Sequence, residues 1–199
     1  MDFDLDAIAG AVVTGLIVGV GKLIQNWSRT RPTPERQARA DAVILDELWS
    51  IYENLEAHSV RIVRSENSGG IPRPGYSAHT SVTHEAAAPK HRLMDRWQHQ
   101  PMDRQVTDLW ATCSVAKRVI LHTADLPSST QAKALYESTG VTDAIMFWLG
   151  HDKQRRYGFM LILNFNDEQA APPDWYAPDF EEAMRQSVMV ISNELTRYR

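Results

Sequence analysis

An α+β architecture, with an antiparallel sheet of about five strands flanked by helices and a single transmembrane helix before it, is what this sequence of 199 residues predicts. Three observations carry that reading. A charge-free apolar run lies within the first thirty residues. Long amphipathic stretches sit near both ends of the remaining chain. Between them the apolar period shortens to that of strands, most clearly over 142–167. The length suits one core plus an appendage. The expected division is a membrane anchor over 1–27, a linker over 28–34 and one cytoplasmic domain over 35–199.

The run "AIAGAVVTGLIVGVG" spans Ala7 to Gly21 without a charge, and apolar character resumes at Leu23, Ile24 and Trp27 after Lys22. As a helix, residues 7–27 would be about 30 Å long, enough for a bilayer core with Lys22 reaching the interface. The acidic leader "MDFDLD" lacks the basic start of a secretory signal. Asp2, Asp4 and Asp6 precede the run, whereas Lys22, Arg29, Arg31 and Arg36 follow it. This asymmetry puts the N-terminus outside and the domain on the cytoplasmic side of the inner (plasma) membrane. Ala7, Ala11, Gly15 and Gly19 recur every fourth residue as a ridge of small side chains, a pattern that lets two helices approach closely and self-associate. Glycine and alanine are also simply common in membrane spans. A hydrophobic helix buried in an assembly or lying at an interface is the other reading of the run.

The prolines of "SRTRPTPE" mark the linker, and Thr33-Pro34-Glu35 reads as a helix start. From there to about Ala57, Ile44, Leu48, Ile51 and Leu55 make one apolar stripe, widened by Leu45, Trp49 and Tyr52. "SVRIVRSE" (59–66) reads as a strand. "YSAHTSVTHE" (76–85) reads as its antiparallel partner, with Tyr76, Ala78, Thr80, Val82 and His84 on one face. Asn67, Gly69, Gly70, Pro72, Pro74 and Gly75 between them form a turn. Residues 86–102 carry no clear period. A helical segment surrounds Val106, Leu109, Trp110 and Cys113, a short strand follows at 117–122, and "LPSSTQAKALYESTG" is a helix capped by Ser128 or Ser129 and ended by Gly140. Ala144 to Leu149 and Tyr157 to Phe165 form a hairpin, apolar on both faces and so central in a covered sheet. A last helix begins at Pro178 or Asp179, with Phe180, Met184, Val188, Ile191, Leu195 and Tyr198 on one face.

This order, with "ALYESTGVTDAIMFWLG" followed by "RYGFMLILNF" and a closing amphipathic helix, resembles a GAF domain, the sensor fold related to PAS domains. Gly140-Val141, Ala144 to Leu149 and Tyr157-Gly158 to Leu163 occupy the places of the family's strand, turn and strand motifs. The resemblance runs over about 38–198 and is best over 126–198. It implies a small-molecule pocket between the sheet and the variable connection, about residues 86–125. No NKFDE-like signature of cyclic-nucleotide-binding members is present. The cysteine triad of the sulfoxide-reducing members is impossible with Cys113 alone, and nothing beside it matches a bilin-attachment motif.

The body is close to neutral once the three aspartates and one lysine of the first 27 residues are set aside, which gives no support for nucleic-acid binding. A single cysteine suits a reducing compartment and a buried apolar role. His79, His84, His91 and His99 lie close together, near Glu85 and Asp95, but at spacings matching no standard metal site, so no metal is expected. His151-Asp152 has the look of a phosphohydrolase dyad, yet falls in a hairpin turn. Lys117-Arg118 and Lys153 with Arg155-Arg156 read as solvated charges or an anion site. No G-x-S-x-G, phosphate-loop or dinucleotide fingerprint occurs. No catalytic residue, cofactor or ligand-binding residue is assigned.

The expected function is a non-enzymatic, membrane-anchored GAF-like sensor or ligand-binding module, acting through self-association or a protein partner. With no output domain after the final helix, a signal would pass through the membrane helix or that partner. The alternative is a ligand-free interaction scaffold, of the kind a phage or mobile element encodes. A pocket with convergent polar groups favours the first reading and a filled interior with an exposed apolar patch the second.

Overall fold

The computed structural model describes residues 33–66, 72, 78–152, 156–166 and 177–198. The expected membrane helix, with Ala7, Ala11, Gly15 and Gly19, lies outside them. Among the described residues no helix is long and apolar enough to cross a membrane.

Helix α1 (Pro34–Asn54) starts as its sequence predicts. Thr33 is the N-cap, its Oγ1 accepting from the Arg36 amide at 3.3 Å, and Pro34 sits where a helix has no use for its missing N–H. Ala40, Ile44, Leu48 and Ile51 are buried. Leu45, expected to widen that stripe, is 36% exposed. It follows Ile44 by about 100° around the helix, which turns it away from the sheet. The helix stops at Asn54 rather than near Ala57, because Glu56 takes a positive φ of 49° and redirects the chain.

The remaining elements are β1 (Ser59–Glu66), β2 (His79–Ala87), β3 (Gln100–Pro101), α2 (Arg104–Ala116), β4 (Arg118–His122), α3 (Gln131–Thr139), β5 (Asp143–His151), β6 (Gly158–Phe165) and α4 (Pro178–Tyr198). They form one antiparallel sheet in the order β3-β2-β1-β6-β5-β4. Six strands replace the expected five, since β3 is a two-residue strand too short to carry a period. The β5–β6 hairpin forms as predicted, with β1 and β6 in the middle of the sheet. β1 and β2 pair as expected, while the turn residues 67–71 and 73–77 lie outside the described residues.

Both faces are covered. On one, α1 and α4 bury Ile44, Leu48, Met184, Ile191 and Leu195 against Val60, Ile62, Phe147, Leu161 and Leu163. On the other, α2, α3 and the segment after β2 cover Val63, Val82, Met146, Met160 and Ile162 with Leu93, Trp110 and Tyr136. Each fully buried side chain of this size contributes about 1.5–3 kcal/mol.

Two bulges decide which residues reach which face. Ile62 pairs with His84 but Val63 with Val82, so Thr83 is an extra residue in β2. The strict alternation expected for 76–85 therefore breaks. His84 turns to α1, its Nε2 3.1 Å from Asp41 Oδ1, while Glu85, Val82 and Thr80 share the opposite face. In β5 the extra residue is Leu149, and Gly150 beside it has φ +105°, a conformation that favours glycine.

Candidate functional site

The segment from Pro89 to Gln100 is laid across the second face by β2. Val82 N donates to Trp97 O at 3.0 Å, Gln98 Nε2 to Val82 O at 2.8 Å, and His99 N to Ser81 Oγ at 3.0 Å. Opposite it, α2 and α3 are tied together at their N-termini. Asp103 caps α2 by accepting from Val106 N at 2.7 Å, and its other oxygen accepts from Gln131 N, the first residue of α3, at 3.0 Å. Thr130, not Ser128 or Ser129, caps α3, because only its hydroxyl lies three residues before an unbonded helical amide, that of Lys133. Gly140 ends the helix at φ +70°.

Between this roof and the sheet lies a cavity of about 80 Å³. Val63, Val82, Leu109, Trp110, Met146 and Met160 give it an apolar wall, and Arg61, Tyr136 and Asn164 are its polar lining near the start of β1. At roughly 10–15 Å³ for each water-sized group, it admits an organic molecule of about five to eight non-hydrogen atoms.

The charge in the wall is fixed by an ion pair across β1 and β2. Arg61 is 3% exposed, and its Nε donates to Glu85 Oε1 at 2.6 Å. Its Nη2 donates to His91 O at 2.9 Å, so the guanidinium also holds the short 3₁₀ turn Pro89–His91. Glu85 accepts in addition from Leu93 N at 2.9 Å and Met94 N at 3.0 Å. Its carboxylate is thereby saturated, whereas Arg61 Nη1 donates to no described residue. Tyr136 is 5% exposed and its hydroxyl likewise bonds no described residue. Burial pushes that phenol up to about 12, with the Arg61 charge acting in the opposite direction. It is a neutral donor at any physiological pH. Asn164, fully buried, donates from Nδ2 to Ser59 Oγ at 3.0 Å and leaves Oδ1 without a partner.

The four clustered histidines do not converge. His84 meets Asp41, His91 packs at a tilt against His58 at 4.0 Å, and His99 pairs with Glu66, the β1 residue opposite His79. No group able to hold a metal occurs among the described residues. Asp152 of the His151-Asp152 pair is a turn residue, accepting from Arg156 N at 2.6 Å and Tyr157 N at 2.8 Å. Lys117 donates to Ser114 O at the end of α2, and Arg156 lies over the Tyr157 ring, while 153–155 are outside the described residues. Cys113 is buried as expected, and burial raises its thiol to about 12, so it is a packing residue. The sequence gives Arg61, Tyr136 and Asn164 no site role, and Glu85 enters it only as a neighbour of the clustered histidines. The available signal was a charge and an amide inside otherwise apolar strands, "SVRIV" and "FMLILNF".

His58, just before β1, is 3% exposed, and burial, then the charges of His91, Arg61 and Lys90, lower it to about 4 from an ordinary 6.5. Between these values the unfolded chain takes up the proton and the folded one does not, so this residue's contribution is intact above pH 6.5 and falls as the pH drops toward 4. Substituting His58→Gln should flatten the pH dependence of urea stability in that window. An unchanged slope would show that His58 titrates normally in the folded state.

The sequence matches no protein-family model and no curated protein. Solved structures share its fold. A GAF domain/HD domain protein from Geobacter sulfurreducens superposes with TM-score 0.52 at 8% identity, covering 77% of this chain and 93% of that one. The GAF domain region of a putative membrane protein from Geobacter sulfurreducens PCA gives 0.51 at 7%, covering 80% and 95%. A phycocyanobilin-bound GAF domain from a cyanobacterial phytochrome gives 0.50 at 14%, covering 80% and 85%. At these identities the likeness is one of fold, and the fold of the described chain is GAF-like.

Proposed function

We propose that this chain is a non-enzymatic, small-molecule-binding sensory module whose ligand occupies the cavity between the sheet and the roof formed by 89–97, α2 and α3. The observation that carries the reading is the cavity itself: an apolar wall with buried polar groups whose donors and acceptors are not used up by the fold. A ligand-free scaffold has no need of such a space, which is why the sensor reading is preferred to it. The size of the cavity and the absence of thiolate character at Cys113 argue for a small reversible ligand rather than a covalently held chromophore. The test uses the full chain in detergent. Toluene should raise its melting temperature, and Ala132→Leu, which adds three carbons to the cavity wall, should abolish that shift while leaving a cooperative transition. Toluene protection that survives Ala132→Leu would place binding elsewhere.

In the same reading, residues 7–27 anchor the module, with the N-terminus outside, the domain in the cytoplasm and the Ala7, Ala11, Gly15 and Gly19 ridge pairing two copies. The combination has a parallel in the neighbour described as the GAF domain region of a putative membrane protein. The full chain should resist alkaline extraction from membranes, and Gly15→Ile with Gly19→Ile should weaken its self-association. Release by alkaline wash would remove the anchor from the account.

A further inference from the structure

The cavity is chemically lopsided. Arg61 stands opposite Ile162 in the β1–β6 ladder, and Asn164 is the next residue on that face of β6, opposite Ser59. Tyr136 approaches from α3 closely enough for its phenol to feel the Arg61 charge. These three polar side chains gather near the start of β1, while Val63, Val82, Met146 and Met160 continue the wall away from them and Thr80, beyond, accepts from Trp97 Nε1 at 2.8 Å. Each of the three has hydrogen-bonding capacity left over: Nη1 of Arg61, the hydroxyl of Tyr136, and one end of the Asn164 amide. Buried polar groups are rarely left in that state unless something else completes them.

Two of the three are donors, and the third can become one. Asn164 reaches Ser59 through Nδ2, but a serine hydroxyl donates as readily as it accepts, so the turned-over amide keeps Ser59 and puts an N–H where the unpartnered acceptor stood. The outside of the roof has the same polarity. A groove that shares Leu93, Trp97 and Leu135 with the cavity is lined by Lys90, His91, Arg92 and Arg96, with no acidic side chain among its described lining residues. Glu85 engages Arg61 through Nε alone and takes its other hydrogen bonds from two backbone amides, so Nη1 stays clear of it.

Resting on the ligand-binding reading above, we infer that the ligand is a small organic monocarboxylate: an apolar body of a few carbons against the Val63–Met160 wall, and a carboxylate accepting from Arg61 Nη1 and the Tyr136 hydroxyl. The basic groove over Leu93 and Trp97 is the approach. With Glu85 on Nε and the His91 carbonyl on Nη2, Arg61 still has Nη1 to offer a second carboxylate, and a neutral phenol adds a donor without the cost of a second buried charge.

Cyclopentanecarboxylate and cyclopentanecarboxamide have the same shape and differ in charge, and toluene is an apolar body of similar size without a polar group. Calorimetric titration of the full chain should show the carboxylate binding about tenfold or more tighter than the carboxamide. Tyr136→Phe removes a hydroxyl that bonds no described residue, so it spares the fold. It should weaken the carboxylate about tenfold and leave toluene unchanged. Equal binding of carboxylate and carboxamide, with Tyr136→Phe indifferent, would overturn the carboxylate assignment and leave the cavity reading standing. Carboxylate binding that persists in Ala132→Leu would move the anion out to the Lys90–Arg96 groove and overturn its placement. Failure of all three compounds to bind would sink this inference together with the reading it rests on.

Discussion

Arg61 and Glu85 face one another across adjacent strands with almost no contact with solvent, and the cavity side of the sheet is arranged around keeping that pair satisfied. Neither charge is tolerable there alone, since losing one partner of a buried pair leaves the other uncompensated at a cost of about 3–5 kcal/mol. The fold answers from the backbone. Glu85 takes the amides of Leu93 and Met94, and Arg61 takes the carbonyl of His91, so three residues of an otherwise unpatterned segment are drawn onto the sheet. Such a pair is poor evidence for net stability. Its effect is on specificity, because it determines where the roof lies and keeps Leu93 and Trp97 over the apolar wall.

The bulge at Thr83 makes the pair possible. Were β2 regular, Val82 and Glu85 would point to opposite faces, and either the carboxylate or the valine would miss the cavity. The same bulge sends His84 to Asp41 on the helical face. One inserted residue therefore serves both layers. Above the cavity, Asp103 performs the corresponding task for the helices by capping α2 with one oxygen and holding the first amide of α3 with the other.

Much of the framework could be read from residue order. The stripe of α1, the proline start of α4, the Gly140 stop and the two apolar runs of the hairpin are local signals, and the structure contains each of them. What escaped was set by contacts distant in sequence. β3 exists only because His79 and Thr80 offer it an edge. Thr130 displaces the two preceding serines as the cap of α3 because the helix begins at Gln131. The polar end of the cavity was hardest to see, since Arg61, Glu85, Tyr136 and Asn164 come from four elements and acquire a common role only through the sheet order and a bulge. The histidines teach the converse: His84, His91 and His99 are near in sequence, yet they meet Asp41, His58 and Glu66 respectively.

The claim on which the rest hangs is that Glu85 clasps the roof. Amide hydrogen exchange of the full chain, wild type against Glu85→Gln, tests it directly. Loss of charge-assisted hydrogen bonds worth about 1.5–3 kcal/mol should speed exchange at Leu93 and Met94 by about tenfold or more, while Leu161 and Leu163 in the central strand keep their protection. Unchanged exchange at Leu93 and Met94, or a rise of equal size at Leu161 and Leu163, would contradict it.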